Sequence, residues 1–185
     1  HYTVGSLAIT KTVDGTGAAR WGGGNFGVRV ICSLSQANPD QVFDGVHTLS
    51  KADPTWQIDN LPTGADCQVT ETTDGGANST VITNPSPTIG KDTVVETGIT
   101  NTFTLGAITV TKALTVDGET TNDAPWTQGS YTVELACTRD FDNNGTAEAL
   151  AIPGGAVRVI TGAETATYAN LPTGVLPEGG PFTEA

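Results

Sequence analysis

The chain has 185 residues, 23 of them Gly and 10 Pro, and a formal net charge of −12. Such a surface repels nucleic-acid backbones and anionic membranes, and no apolar run is long enough to insert into a bilayer. Short periodic segments rich in Thr, Gly and Asp, without sustained helical spacing, give an all-β expectation of one or two domains.

The first element is Gly5-Ser6-Leu7-Ala8-Ile9-Thr10-Lys11, which alternates apolar and small polar residues as a half-buried strand does. Side chains two apart share a face, so Leu7, Ile9 and Lys11 point the same way. A lysine aimed into a core is costly unless its charge is removed or paired. The segment returns as Gly106-Ala107-Ile108-Thr109-Val110-Thr111-Lys112, which puts Lys112 in the same position.

Further markers recur in order. Val13-Asp14-Gly15 matches Val116-Asp117-Gly118, Trp21 and Cys32 match Trp126 and Cys137, and Asn60-Leu61-Pro62-Thr63-Gly64 matches Asn170-Leu171-Pro172-Thr173-Gly174. The expected organisation is therefore a tail of a preceding repeat at 1–4, a first β-sandwich repeat at 5–105, and a second at 106–185 that stops before its last strands. His1-Tyr2-Thr3-Val4 aligns with Thr102-Phe103-Thr104-Leu105 and Phe182-Thr183-Glu184-Ala185 with Val69-Thr70-Glu71-Thr72, so the chain reads as a window from a longer tandem array, the alternative being an arbitrary boundary with a foreign His1. Strands are expected near 5–13, 25–33, 45–50, 55–60, 66–73, 79–83 and 93–104, the count and spacing of an immunoglobulin-like sandwich.

Cys32 closes one strand on its inward face and Cys67 opens another on its inward face. A disulfide between them, or two buried free thiols, both fit. Cys137 takes the Cys32 position of the second repeat; its partner either lies beyond Ala185 or Cys137 stays free. No CxxC pair is present.

Two more polar residues fall where apolar ones belong. The inward face of one strand reads Cys67, Val69, Glu71, and that of another Ile99, Asn101, Phe103. A Lys, a Glu and an Asn buried separately would each cost several kcal/mol, about 2–7 for a neutral polar group. Clustered, they have two readings. Desolvation lowers a lysine's pKa and raises a carboxylic acid's, so a neutral Lys11 amine can attack the Asn101 carboxamide while Glu71 moves protons as acid and base, giving an isopeptide bond and ammonia. Alternatively Lys11 and Glu71 form a buried ion pair with Asn101 hydrogen-bonded beside it.

The order of Lys on the first strand, Glu in Val69-Thr70-Glu71-Thr72 and Asn in Ile99-Thr100-Asn101-Thr102-Phe103 resembles the CnaB-type repeats of Gram-positive surface proteins, adhesins and pilins. Leu61-Pro62-Thr63-Gly64-Ala65-Asp66-Cys67 and the opening strand are similar to tandem repeats of actinobacterial cell-surface proteins. The resemblance covers 5–105 fully and 106–185 in part. It implies two tandem immunoglobulin-like sandwiches, the second incomplete, an extracellular cell-surface location, and a Lys11–Asn101 crosslink assisted by Glu71. In the second repeat it maps Lys112 and Glu184. Where CnaB domains commonly carry Ala-Pro-x-Gly-Tyr after the Glu, this chain has Thr72-Thr73-Asp74-Gly75-Gly76.

Other motifs are weaker. Asp140-Phe141-Asp142-Asn143-Asn144-Gly145 opens like a calcium loop, so Asp140, Asp142 and Asn144 are candidate metal ligands, but position 12 of that pattern is Ala151 and the residues also suit an ordinary turn. Leu-Pro-Thr-Gly lacks one residue of a sortase signal and, being repeated, reads as a structural turn. No hydrolase, metalloprotease or phosphate-loop motif is present. The expectation is a non-enzymatic stalk repeat of a surface adhesin, pilus or filament, without cofactor, whose partners are neighbouring repeats, other subunits or a host surface. The alternative is a glycan- or protein-binding surface module, calcium-dependent through Asp140 and Asp142.

Overall fold

The computed structural model describes residues 3–34, 40–121, 128–141, 144–173 and 176–177. The chain divides into two compact units, His1–Thr104 with Asp140–Thr146, and Leu105–Arg139 with Ala147–Ala185. No helix among the described residues is long and apolar enough to cross a membrane.

The first unit contains β1 (Val4–Asp14), a single turn of helix α1 (Ala18–Trp21), β2 (Phe26–Ser33), β3 (Gln41–Leu49), β4 (Thr55–Pro62), β5 (Asp66–Thr73), β6 (Ser79–Thr83) and β7 (Val94–Thr102). Seven strands are expected and seven form among the described residues. The third starts at Gln41 rather than near 45, because Gln41 to Asp44 continue the antiparallel ladder against Ile31 to Ser33. The turn of helix was not expected; four residues are too few to leave a periodic signal.

The strands make two sheets, in the order β4-β1-β7-β6 and β3-β2-β5. Their inner faces form one core, to which Leu7, Ile9 and Ile99 contribute from one sheet and Phe26, Val30 and Val69 from the other. The fold is thus an all-β sandwich with an immunoglobulin-like strand count. Within it β1 and β7 run parallel, from Ser6 opposite Val94 to Asp14 opposite Thr102. First and last strands therefore lie side by side in the middle of one sheet.

The Asn-Leu-Pro-Thr-Gly segment has a local explanation. The β1–β4 ladder shifts between the pairs Gly5–Leu61 and Leu7–Ile58, leaving an extra residue on β4. Asn60 sits in that bulge at φ 60, a left-handed conformation that Asn tolerates better than most residues. Opposite it, Gly5 is packed so closely on the Gly90 carbonyl and the Ile89 side chain that a Cβ has no room. Beyond Pro62 the chain turns through Gly64 at φ 81, whose amide donates to the Ile89 carbonyl, and enters β5. The segment is a structural turn, as its repetition suggested.

The second unit contains β8 (Leu105–Thr111), β9 (Thr115–Val116), β10 (Glu119–Thr120), β11 (Ser130–Glu134), β12 (Cys137–Arg139), β13 (Glu148–Ala149), β14 (Val157–Thr161), β15 (Thr165–Pro172) and β16 (Leu176–Pro177). Its pairings β8–β15, β11–β14 and β12–β16 correspond to β1–β4, β2–β3 and β2–β5. The bulge recurs as well: the ladder shifts between Ala169 and Leu171, with Asn170 at φ 59. Its core includes Leu135, Ile160 and a fully buried Tyr168, whose hydroxyl donates to the Val133 carbonyl at 2.8 Å.

Candidate functional site

Three strands of the first sandwich bring Lys11, Glu71 and Asn101 together. β1 buries alternate residues, so the face that carries Leu7 and Ile9 also carries Lys11. β5 does the same through Cys67 and Val69 toward Glu71, and β7 through Ile99 to Asn101. The side chains of Lys11 and Glu71 are 0% and 4% exposed, and Asn101 is 0% exposed. A bulge on β5 follows Glu71: Val28 pairs with Glu71 and Gly27 with Thr73, so Thr72 is unmatched. Bulges of this kind re-aim neighbouring side chains.

The contacts are short and shared. Lys11 Nζ donates to Glu71 Oε1 at 2.7 Å, and Asn101 Nδ2 donates to that same oxygen at 3.0 Å. One carboxylate oxygen thus touches the amine nitrogen and the carboxamide nitrogen at once. Asn101 Nδ2 also donates to the Asp74 carbonyl at 2.9 Å. Gly75 and Gly76, both left-handed at φ 65 and 72, shape the loop that presents this carbonyl. The sequence Thr72-Thr73-Asp74-Gly75-Gly76, which departs from the CnaB pattern, therefore has a definite place in the site. Thr80 Oγ1 lies 3.0 Å from Glu71 Oε2 and 3.0 Å from Asn101 Oδ1. The Phe26 ring closes another side, its centroid 4.3 Å from Lys11 Nζ.

Burial pushes the Lys11 ammonium below its ordinary value of 10.5, against the Glu71 hydrogen bond and the charges of Glu71 and Asp74, which hold the proton on. The amine is thus easier to neutralise than a surface lysine. Sequence reasoning had not identified Thr80, Phe26 or the Asp74 carbonyl as part of this cluster. Thr80 is opposite Asn101 in the β6–β7 ladder, a register that cannot be read before those strands are paired.

Cys32 and Cys67 form a disulfide, at facing positions of β2 and β5. Cys137 is a buried free thiol whose pKa burial pushes up. In its ladder Cys137 faces Pro177, so a proline stands where Cys67 stands opposite Cys32. Lys112 is half-buried, with Nζ 4.9 Å from the centre of the Tyr131 ring. Glu184, Asp142 and Trp126 lie outside the described residues. In the Asp140 loop, Asp140 Oδ1 accepts from the Asn144 amide and Oδ2 from the Gly145 amide, while Asn144 Oδ1 accepts from the Thr146 amide. These are turn-forming bonds, and among the described residues no His, Cys, Asp and Glu side chains group as a metal site. Trp56 is half-buried and stacks on His47 with ring centres 5.1 Å apart.

The family described as a domain of unknown function, DUF5979, matches residues 7–104 and 108–175. The chain belongs to the DUF5979 family. The junction between the two matched segments, 105–107, coincides with the start of β8. No curated protein matches the chain. Among solved structures it is similar to the pilus-presented adhesin Spy0125 (Cpa). A cysteine-to-alanine mutant of that adhesin is 16% identical, with a TM-score of 0.42, over 54% of this DUF5979 chain and 27% of the adhesin chain. A further form is 17% identical, with a TM-score of 0.41, over 55% and 28%. This chain thus spans little more than a quarter of the adhesin chains it matches.

Proposed function

We propose that this chain is a stalk segment of an extracellular Gram-positive surface adhesin, pilus or filament, and that its first sandwich is a CnaB-type domain closed by a Lys11–Asn101 isopeptide bond. The reading is carried by one observation: Glu71 Oε1 is 2.7 Å from Lys11 Nζ and 3.0 Å from Asn101 Nδ2, in a site none of these side chains opens to solvent.

That geometry suits an amide exchange. The neutral Lys11 amine attacks Asn101 Cγ. Glu71 takes a proton from Nζ and delivers it to Nδ2, which leaves as ammonia; the Nζ–Cγ bond forms and the Cγ–Nδ2 bond breaks. The Asp74 carbonyl keeps the leaving nitrogen turned toward Glu71. Holding the reactants together removes most of the entropic barrier, which is how so slow a reaction proceeds without an external enzyme.

The function that follows is endurance under tension. A chain pulled from its ends loads β1 and β7, and the crosslink carries that load covalently. Single-molecule stretching of the reduced chain tests it. The segment between Lys11 and Asn101 is expected to stay short under force, and to lengthen in Glu71→Gln. Equal lengthening of both would contradict the reading.

A further inference from the structure

We propose that Thr80 is a further catalytic residue of the Lys11–Asn101 crosslink, its hydroxyl relaying a proton between Glu71 Oε2 and the carboxamide oxygen of Asn101. This rests on the proposal that the crosslink forms, and concerns how the carbonyl is activated rather than how protons move between the two nitrogens.

The antiparallel β6–β7 ladder sets Thr80 opposite Asn101. Thr80 Oγ1 is 3.0 Å from Asn101 Oδ1 and 3.0 Å from Glu71 Oε2. A hydroxyl has one proton to donate, and here two acceptors face it. When Glu71 is ionised, the charged carboxylate takes that proton because charge-assisted bonds are the stronger ones. When Glu71 is an acid with its proton on Oε2, it donates to Thr80, and Thr80 turns its own proton to Asn101 Oδ1. Protonation of Glu71 and polarisation of the carboxamide are then one event, with Oε1 left to accept from Asn101 Nδ2 and from the neutral amine.

The step balances without any outside reagent. As Lys11 Nζ attacks Cγ, the carbonyl electron pair moves to Oδ1. Thr80 gives its proton to Oδ1 and takes the one from Glu71 Oε2. Glu71, now a carboxylate, removes a proton from Nζ through Oε1 and passes it to Nδ2. As ammonia leaves, the proton on Oδ1 returns through Thr80 to Glu71. Thr80 and Glu71 end as they began. Thr80 is itself an exposed residue at the rim of the buried cluster, and a donor aimed there at developing negative charge lowers the barrier of acyl transfer by less than a fully water-excluded one would.

The test is the rate of ammonia loss by the full chain. Protein made by cell-free synthesis is quenched at intervals and its intact mass read. Each rate is taken on the protease-resistant, disulfide-bonded fraction, so folding defects do not enter. Thr80→Val, which keeps the β-branched shape suited to a strand and fills the hydroxyl's place, should slow the reaction by about ten- to a hundredfold. Thr80→Ser should restore it, which a purely structural role for the methyl would not predict; Thr80→Ala replaces Thr80→Val if the latter yields no folded fraction. A wild-type rate in both hydroxyl-free variants would overturn the role of Thr80 while leaving the crosslink intact. No ammonia loss in the wild type would overturn the crosslink and the relay together.

Discussion

Lys11 and Asn101 are diagonal neighbours on adjacent parallel strands: Lys11 pairs with Ile99, and Asn101 with Val13. Because β1 and β7 run the same way, pulling the start of one and the end of the other slides them past each other in shear. Hydrogen bonds along the whole ladder resist together in that geometry, and a covalent rung between these two residues would remove the sliding motion altogether.

The buried pair should behave as a unit. In an Asn101→Ala background no crosslink can form, but Lys11 and Glu71 keep each other as partners. Adding Lys11→Met leaves a carboxylate that is 4% exposed without its cation, and should cost about 3–5 kcal/mol in urea unfolding. Adding Glu71→Leu as well should recover most of that loss, since well-packed apolar replacements of buried pairs are often neutral. Equal losses in the two variants would show that the pair is not coupled.

The same background exposes a pH dependence. Burial places the Lys11 pKa below 10.5, with Glu71 and Asp74 as the facing charges. The folded chain holds that proton less tightly than the unfolded chain. Between the folded value and 10.5 the unfolded state therefore binds more protons, and stability rises with pH, reaching its full value above 10.5. Urea midpoints in Asn101→Ala should climb over this window by more than in Asn101→Ala/Lys11→Met. Identical slopes would contradict the assignment to Lys11.

The Cys32–Cys67 disulfide closes a separation of 35 residues and should contribute about 3–4 kcal/mol by restricting the unfolded chain. Cys32→Ala/Cys67→Ala should lose that amount in urea unfolding, measured with Cys137 blocked by alkylation after denaturation. A loss well under 1 kcal/mol would show that the unfolded chain is not restrained in this way.

Much of this architecture was legible because alternation is a strong signal. Leu7, Ile9 and Lys11, or Cys67, Val69 and Glu71, declare one face of a strand by spacing alone, and three polar residues on such faces mark a cluster before any strand is paired. What spacing does not carry is which strand lies next to which. The parallel β1–β7 pairing, Thr80 opposite Asn101, and the Asp74 carbonyl turned inward by two left-handed glycines all depend on register and loop geometry. The Phe26 ring over Lys11 is a contact between the two sheets and leaves no trace in either strand's own pattern. In the second unit the repeat alignment points to 176–180 as the place of the Cys67 equivalent, and strand pairing then sets Pro177 opposite Cys137.

The repeated bulge makes a local prediction. Asn60→Ala forces a left-handed conformation on a residue that disfavours it, at about 1–2 kcal/mol, whereas Asn60→Gly should be close to neutral. Gly5→Ala should be worse than either, since its Cβ would meet the Gly90 carbonyl, a backbone atom that cannot swing aside. Thermal unfolding of the three variants checks the order; an Asn60→Gly variant as damaged as Asn60→Ala would point to a role for the side chain instead of the backbone.

The most direct measurement is the intact mass of the folded, reduced and alkylated wild-type chain beside that of Glu71→Gln. The wild type is expected to be lighter by one ammonia than its sequence mass with three alkylated cysteines, with a fragment joining Lys11 to Asn101, and Glu71→Gln to have the full mass of its alkylated sequence. A wild-type chain at the full mass of its alkylated sequence would contradict the crosslink and leave Lys11, Glu71 and Asn101 as a buried polar cluster alone.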